Sequence, residues 1–177
     1  MIALVLDTET SGLLDNRSMP LDKLPEIIEF TGIVVDLETG EITKEIDTLI
    51  KPSRPISEEI TKITGLTDDD LVGQGSFSAK KDGIRGLIES SPLVIAHNLS
   101  FDKEIIDIEY ARLGETVRWP KLLCTVEATV YLKGYRMNLT GLHEHLFGTG
   151  FPSAHRARKD VEALIRCCCE LFKRGEI

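Results

Sequence analysis

Apolar residues along this chain form short runs separated by polar segments. The continuous runs at 2–6 and 93–96 are typical of strands buried on both faces of a sheet. Residues 27–37, with Ile33, Val34 and Val35 at their centre, predict a second strand. Residues 42–50 alternate between apolar and polar, which predicts a third, less buried strand, antiparallel to the second across a hairpin-type turn. A last short strand is predicted at 122–125.

Capping residues and helical spacing divide the rest of the chain. Ser57 is a suitable N-cap for a short helix that Gly65 ends, and Thr67 can cap another short turn. The polar stretch 13–25 is predicted to be a loop. Further helices are predicted at 77–88, 101–113, 127–132, 139–147 and 156–172.

The order of these elements is a strand meander followed by strand–helix–strand crossovers. This order predicts an α/β fold with a mixed sheet. The chain has 177 residues and no internal repeat or low-complexity linker, so we expect a single domain over residues 1–177.

Composition narrows the class of protein. Apolar residues make up 42% of the chain and charged residues 28%, which is ordinary for a globular protein. No apolar run approaches the roughly 18 residues of a membrane span. Residues 1–6 lack a basic lead and run straight into Asp7, so we expect a strand rather than a signal peptide. A cytosolic protein without a membrane partner is the resulting expectation.

The four cysteines, Cys124 and residues 167–169, contain no C-x-x-C pair. Three successive helical residues point about 100° apart and cannot converge on one zinc ion. Adjacent cysteines are also poor disulfide partners. We expect reduced, mostly buried thiols.

Acidic residues follow the two predicted buried strands. Asp7 and Glu9 lie two positions apart, so their carboxylates share a face at the end of the first strand. Asp102 follows the strand at 93–96 and lies beside them if the two strands are neighbours. Each residue alone also has a structural interpretation, since acids often end strands and Asp102 can favour a helix N-terminus.

A third polar segment supplies Asp160 and His155. Five residues span about 140° around a helix, so we expect His155 on the entering loop and Asp160 in the first helical turns. Either residue alone could simply be a surface residue. Together, the four carboxylates would repel one another unless cations offset them, and Mg²⁺ or Mn²⁺ prefers such oxygen ligands. With histidine as general base, the set predicts phosphodiester cleavage with two divalent metal ions.

The three segments read DTETSG at 7–12, HNLSFD at 97–102 and HRARKD at 155–160. They resemble the three sequence blocks of the DEDDh exonucleases, a family that includes proofreading subunits of bacterial replicative polymerases. The resemblance extends over residues 2 to about 171. It implies a ribonuclease-H-like fold, a five-stranded mixed sheet flanked by helices with the second strand antiparallel. It also implies hydrolysis from the 3′ end that releases 5′-mononucleotides.

The resemblance also implies roles for individual residues. Asp7, Glu9 and Asp160 would hold one metal ion, and Asp7 and Asp102 the second. His155 would take the proton of the attacking water. Other positions match residues that contact the terminal nucleotide or brace the site: Thr8, Thr10, Leu13, Asn98 and Phe101.

One departure from the family pattern concerns residues 63–65. Family members often carry a histidine here that can stack against a base, whereas this chain has Thr64. Threonine cannot stack, which leaves the grip on the penultimate base and the substrate preference open.

The net charge of −8 counts against a broad nucleic-acid surface. The objection is partial, because metal ions would neutralise four acids and a nuclease that grips few nucleotides needs little basic area. We favour single-stranded DNA 3′ ends as substrate, in proofreading or repair. Trimming of RNA 3′ ends is the alternative, and a non-catalytic binding module is a third reading. The short segment after the last predicted helix favours an independent enzyme, while association with a DNA polymerase stays open.

Overall fold

A computed structural model describes residues 1–151 and 156–177. Five strands in these ranges form one sheet in the order β3-β2-β1-β4-β5. Strand β2 is antiparallel to β1 and β3, whereas β1–β4 and β4–β5 are parallel. The predicted mixed sheet with an antiparallel second strand is therefore confirmed. The strands are β1 Ile2–Thr10, β2 Ile27–Asp36, β3 Ile42–Leu49, β4 Leu93–Ala96 and β5 Lys121–Cys124.

Helices follow β3 and each later strand. Ser57 caps α1 by accepting a hydrogen bond from the Ile60 N–H, and Gly65 ends that helix with φ 73°. Thr67 and Asp70 form a capping box at α2. The helices are α1 Glu58–Thr64, α2 Asp68–Val72, α3 Phe77–Ser90, α4 Leu99–Arg112, α5 Thr125–Ala128, α6 Val130–Lys133, α7 Leu139–Phe147 and α8 Ala157–Lys173.

Three elements differ most from the sequence predictions, and the predicted loop at 13–25 also contains a short 3-10 helix, Leu21–Lys23. Strand β1 continues past Leu6 to Thr10, because its polar second half still pairs with β2. Helix α4 begins two residues earlier than predicted, at Leu99. The single helix predicted at 127–132 is wrong: two short helices meet at Thr129, whose hydroxyl donates to the Thr125 carbonyl at 2.7 Å. Such side-chain bonds compete with regular helix geometry.

Strands β1, β2 and β4 are largely buried, whereas the edge strand β3 is mostly exposed. Leu4 and Leu6 pack on one side with residues of α3 and α4, and Ala3 and Val5 pack on the other side against α8. This alternation continues past the apolar part of β1. The odd-numbered acids Asp7 and Glu9 are therefore directed to the α8 side.

The four cysteines are free, and Cys167 and Cys168 are buried, as expected. Burial raises the pKa of the Cys167 thiol to about 12. Within residues 1–151 and 156–177, no helix combines the length and apolar character needed to cross a membrane.

Candidate active site

Three carboxylates converge where β1 meets the start of α8. Ligand oxygens of Asp7, Glu9 and Asp160 all lie within 4.8 Å of one another. Asp160 lies one turn into α8, where its N–H bonds to the Arg156 carbonyl at 3.0 Å. A helix that begins beside the polar half of β1 thus brings together acids separated by about 150 positions in the sequence.

The fourth carboxylate, Asp102, lies in the first turn of α4, the helix that follows β4, and it is hydrogen-bonded to β1. Strands β1 and β4 pair in parallel. They are therefore neighbours, as the predicted placement of Asp102 beside Asp7 and Glu9 requires. Asp102 is 3% exposed, and its Oδ1 accepts bonds from the Thr8 N–H at 3.0 Å and the Thr8 hydroxyl at 2.8 Å. Within the described part of the chain, the 4.8 Å group does not include Asp102.

The carboxylates influence one another strongly. Burial raises the pKa of Asp7 well above its ordinary value, and the charges of Asp102 and Glu9 add to the shift. Burial and the nearby Asp160 raise the pKa of Glu9 to about 8. Burial raises the pKa of Asp102 to about 7, although the bonds from Thr8 oppose that shift.

The cluster therefore fits divalent cations. Closely packed carboxylates are costly as a set of like charges, and bound cations would offset that cost. All the donors are hard oxygens, which Mg²⁺ and Mn²⁺ prefer over nitrogen or sulfur.

Two cavities adjoin the cluster and share Thr8 and Glu9 in their walls. The larger, about 500 Å³, runs along the end of β1 toward α1, and the smaller, about 380 Å³, lies toward α7. Four residues predicted to bind substrate line the larger cavity: Thr8, Thr10, Leu13 and Phe101. The fifth, Asn98, lines the smaller one together with Asp7 and Asp160.

Asn98 holds the turn between β4 and α4 in an uncommon conformation. Its φ of 67° is left-handed, which asparagine tolerates better than most residues. Its Oδ1 accepts a bond from Arg136 at 3.4 Å, and Arg136 also pairs with Glu127. A cation is thereby placed beside a residue of the smaller cavity.

His97 is bonded inside the fold. Its Nε2 donates to the Met137 carbonyl at 3.1 Å, which leaves Nδ1 to accept from the Thr125 hydroxyl at 2.9 Å. Burial lowers the pKa of His97 to about 4, so the ring is neutral near pH 7. These contacts give His97 a structural role between β4, α5 and the segment before α7.

The predicted general base, His155, lies outside the described residues, so its role stays a prediction. The described neighbours on either side are Phe151, which lines the smaller cavity, and Arg156, which precedes α8.

Sequence reasoning missed several residues of the site. Asn138, Leu139, Thr140 and Phe151 line the smaller cavity, and no local pattern distinguishes them from an ordinary capped helix. Glu29 lies inside the strand predicted at 27–37, and in the structure it is 2% exposed and binds Arg156. A charged residue inside an otherwise apolar strand was the signal that could have identified it.

The departure at Thr64 has a structural explanation. Thr64 is buried, and its hydroxyl donates to the Ile60 carbonyl and accepts from the Leu66 N–H. It stabilises the end of α1 and is not available to a base. The neighbouring Ile63 and, across the larger cavity, Leu13 expose apolar side chains instead, 46% and 70% exposed.

Solved structures share this fold. An exonuclease X in complex with 5′ overhanging duplex DNA superposes with a TM-score of 0.70 and 22% identity, covering 98% of this chain and 93% of that one. The nuclease domain of 3′hExo, a DEDDh family member bound to rAMP, gives a TM-score of 0.80 and 16% identity, covering 98% and 92%. At these identities the likeness establishes the fold and no more.

Sequence comparison identifies the family. The PolC-type DNA polymerase III of Thermotoga maritima is 38% identical over 158 residues, 89% of this chain but 11% of that protein. The epsilon subunit of DNA polymerase III from Buchnera aphidicola subsp. Schizaphis graminum is 34% identical over 127 residues, 72% and 53% of the two chains. This chain thus spans about a tenth of the PolC-type relative and half of the epsilon subunit. The exonuclease family model matches residues 4–168, so the resemblance seen in the sequence is confirmed and the chain belongs to the exonuclease family.

Proposed function

We propose that this protein is a metal-dependent 3′→5′ exonuclease that hydrolyses single-stranded DNA ends to 5′-mononucleotides. The observation that carries the proposal is the convergence of Asp7, Glu9 and Asp160 within 4.8 Å, with the buried Asp102 bonded to the same strand. The relatives named as DNA polymerase III chains support DNA over RNA.

Asp7, Glu9 and Asp160 would hold one divalent cation, and Asp7 with Asp102 a second. When bound, the two cations supply Lewis-acid stabilisation of the charge that develops on the phosphate. Thr8 holds Asp102 in place through its two hydrogen bonds, so the orientation of that carboxylate is fixed before substrate arrives.

The remaining chemistry belongs to the chain and the substrate. His155 would accept a proton as a water oxygen forms a bond to phosphorus. The bond from phosphorus to the 3′ oxygen of the preceding nucleotide breaks, and that oxygen takes up a proton from a solvent water. The products are a 5′-mononucleotide and a strand with a new 3′ hydroxyl. The cavity lined by Thr10, Leu13 and Phe101 would receive the terminal nucleotide.

The test offers matched single-stranded DNA and RNA of one sequence, labelled at either end, with Mn²⁺. We expect mononucleotides from the 3′ end of DNA, and no products with Asp7→Asn or without metal. Faster trimming of the RNA would select the alternative substrate. Metal-independent binding without hydrolysis would contradict the enzyme altogether.

We further propose a cytosolic location and association with a DNA polymerase. The support for a polymerase partner is that the relatives are themselves DNA polymerase III chains. Co-purification of the tagged protein from its native host tests this directly, and its absence from a polymerase fraction would favour an independent repair enzyme.

A further inference from the structure

A fifth carboxylate, Glu29, lies beside the cluster, but its hydrogen bonds are to Arg156 and Ala157. Glu29 stands opposite Glu9 in the antiparallel β1–β2 pair, so the two side chains share a face of the sheet. Its charge contributes to the raised pKa values of Asp7 and Glu9. A buried charge at this position is costly unless it is paired, which raises the question of what it does.

Glu29 binds the first turn of α8 at three donors. Its Oε1 accepts from the Arg156 guanidinium at 2.9 and 3.2 Å. Its Oε2 accepts from Arg156 Nε at 3.2 Å and from the backbone N–H of Ala157 at 3.1 Å. The last bond satisfies one of the N–H groups that a helix leaves unpaired at its start. Arg156, the N-cap residue, makes no side-chain capping bond of its own, so β2 supplies the cap.

We propose that Glu29 and Arg156 are a positioning pair that fixes the start of α8 against β2 and thereby sets the place of Asp160 beside Asp7 and Glu9. This inference rests on the proposed function, because it assigns the pair a role in assembling the cation site. The geometry supports it, since Asp160 follows Ala157 by less than one helical turn. Bidentate guanidinium–carboxylate pairs also fix direction as well as distance.

A neighbouring arginine provides the matched control. Arg158 lies in the same turn of α8 but bonds to Glu45, Asp47 and Glu162, which are partly exposed. Arg158→Gln removes a positive charge near the cluster without touching Glu29. It therefore separates loss of charge from loss of the bidentate contact.

The test is calorimetric titration of Mn²⁺ into the protein without nucleic acid, with thermal unfolding and steady-state kinetics beside it. We expect Glu29→Gln and Arg156→Gln each to weaken Mn²⁺ binding by at least fivefold. Each should lower kcat at least tenfold with little change in KM, because the groups that contact the nucleotide are untouched. Arg156→Lys, which keeps the charge without the planar fork, should fall between wild type and Arg156→Gln. Arg158→Gln should match wild type within twofold.

Three outcomes would overturn the positioning role. If the pair acted only through its charges, Glu29→Gln would weaken Mn²⁺ binding and Arg156→Gln would strengthen it. If the Glu29–Arg156 pair only stabilised the fold, both variants would have a lower unfolding midpoint and an unchanged Mn²⁺ affinity. A failure of the wild-type protein to bind Mn²⁺ would contradict the proposed function itself and leave the pair nothing to position. Arg156, with a side chain 45% exposed, keeps the test decisive if Glu29→Gln does not fold.

Discussion

At the scale of single residues, the closely packed acids at the end of β1 repel one another. We expect this repulsion to lower the free energy of unfolding when no cation is bound. Asp7 is surrounded by the charges of Glu9, Asp102 and Asp160. Replacing it with asparagine preserves its shape and removes one source of repulsion. We therefore expect Asp7→Asn to lower kcat/KM by about 1000-fold or more, ~4 kcal/mol.

The same variant should be more stable than wild type in the presence of EDTA. Relief of about 1 kcal/mol corresponds to roughly 2–4 °C in the unfolding midpoint of a chain of this size. Mn²⁺ should raise the wild-type midpoint and leave that of Asp7→Asn nearly unchanged. Differential scanning fluorimetry measures both, with the exposed Asp22→Asn as control. A lower midpoint for Asp7→Asn in EDTA would show that repulsion among the carboxylates does not destabilise the fold.

Ile63, next to Thr64, lines the larger cavity and could contact a nucleotide there. Thr64 is committed to the end of α1, so Ile63 offers the exposed apolar surface on that side of the larger cavity. We expect Ile63→Ser to cost about 1 kcal/mol of ground-state contact, or roughly fivefold in KM, with kcat unchanged. Val72→Ser, an exposed apolar residue on α2, is the control. A fall in kcat instead would place Ile63 nearer the reacting phosphate than the cavity suggests.

At the scale of elements, His97 couples β4 to α5 and to the segment before α7. Its pKa of about 4 in the folded protein lies below the ordinary value of about 6.5. The unfolded chain therefore binds more protons between these values. The contribution of the neutral ring to stability is complete above about pH 6.5 and is lost as the pH falls toward 4.

We expect wild type to lose more stability than His97→Gln between pH 7 and pH 5, by about 2 kcal/mol. Urea unfolding at several pH values measures the difference between the two proteins. Acids with raised pKa values increase the stability of the fold as the pH falls. Both proteins contain these acids, so their effect cancels in the difference. The exposed His145→Gln should track wild type. Parallel curves for wild type and His97→Gln would mean that the ring is free to protonate in the fold.

Local sequence signals predicted most of these elements because each depends on neighbours in the chain. Ser57, Gly65 and Thr67 set helix ends through their own backbone and side-chain bonds. By contrast, β1 continues to Thr10 only because β2 pairs with it. Glu29 became part of the site only through contact with Arg156, 127 positions away. Pattern reasoning finds motifs whose residues share a local period and misses supports that only the assembled sheet brings together.

At the scale of the whole molecule, a net charge of −8 must be reconciled with a polyanionic substrate. Many of the arginines beside the site are already paired: Arg156 with Glu29, Arg136 with Glu127, and Arg158 with Glu45 and Asp47. These pairs leave the three arginines less able to neutralise phosphates along a strand. Binding should therefore depend on the metal site and the two cavities beside it, and little on a long basic groove.

This predicts a weak dependence on salt. Each phosphate neutralised by a basic side chain contributes about −0.7 to the slope of log affinity against log salt for a single strand. With about two such contacts, we expect log(kcat/KM) to fall with a slope near −1.4 between 50 and 300 mM KCl at saturating Mn²⁺. Arg136→Gln should flatten that slope, because Arg136 lies beside Asn98 of the smaller cavity and its exposed ion pair with Glu127 is weak enough to exchange for a phosphate. Arg174→Gln, at the far end of α8 and paired with Glu170, should leave it unchanged. A wild-type slope steeper than about −4 would require an extended basic surface, which the paired arginines beside the site do not provide.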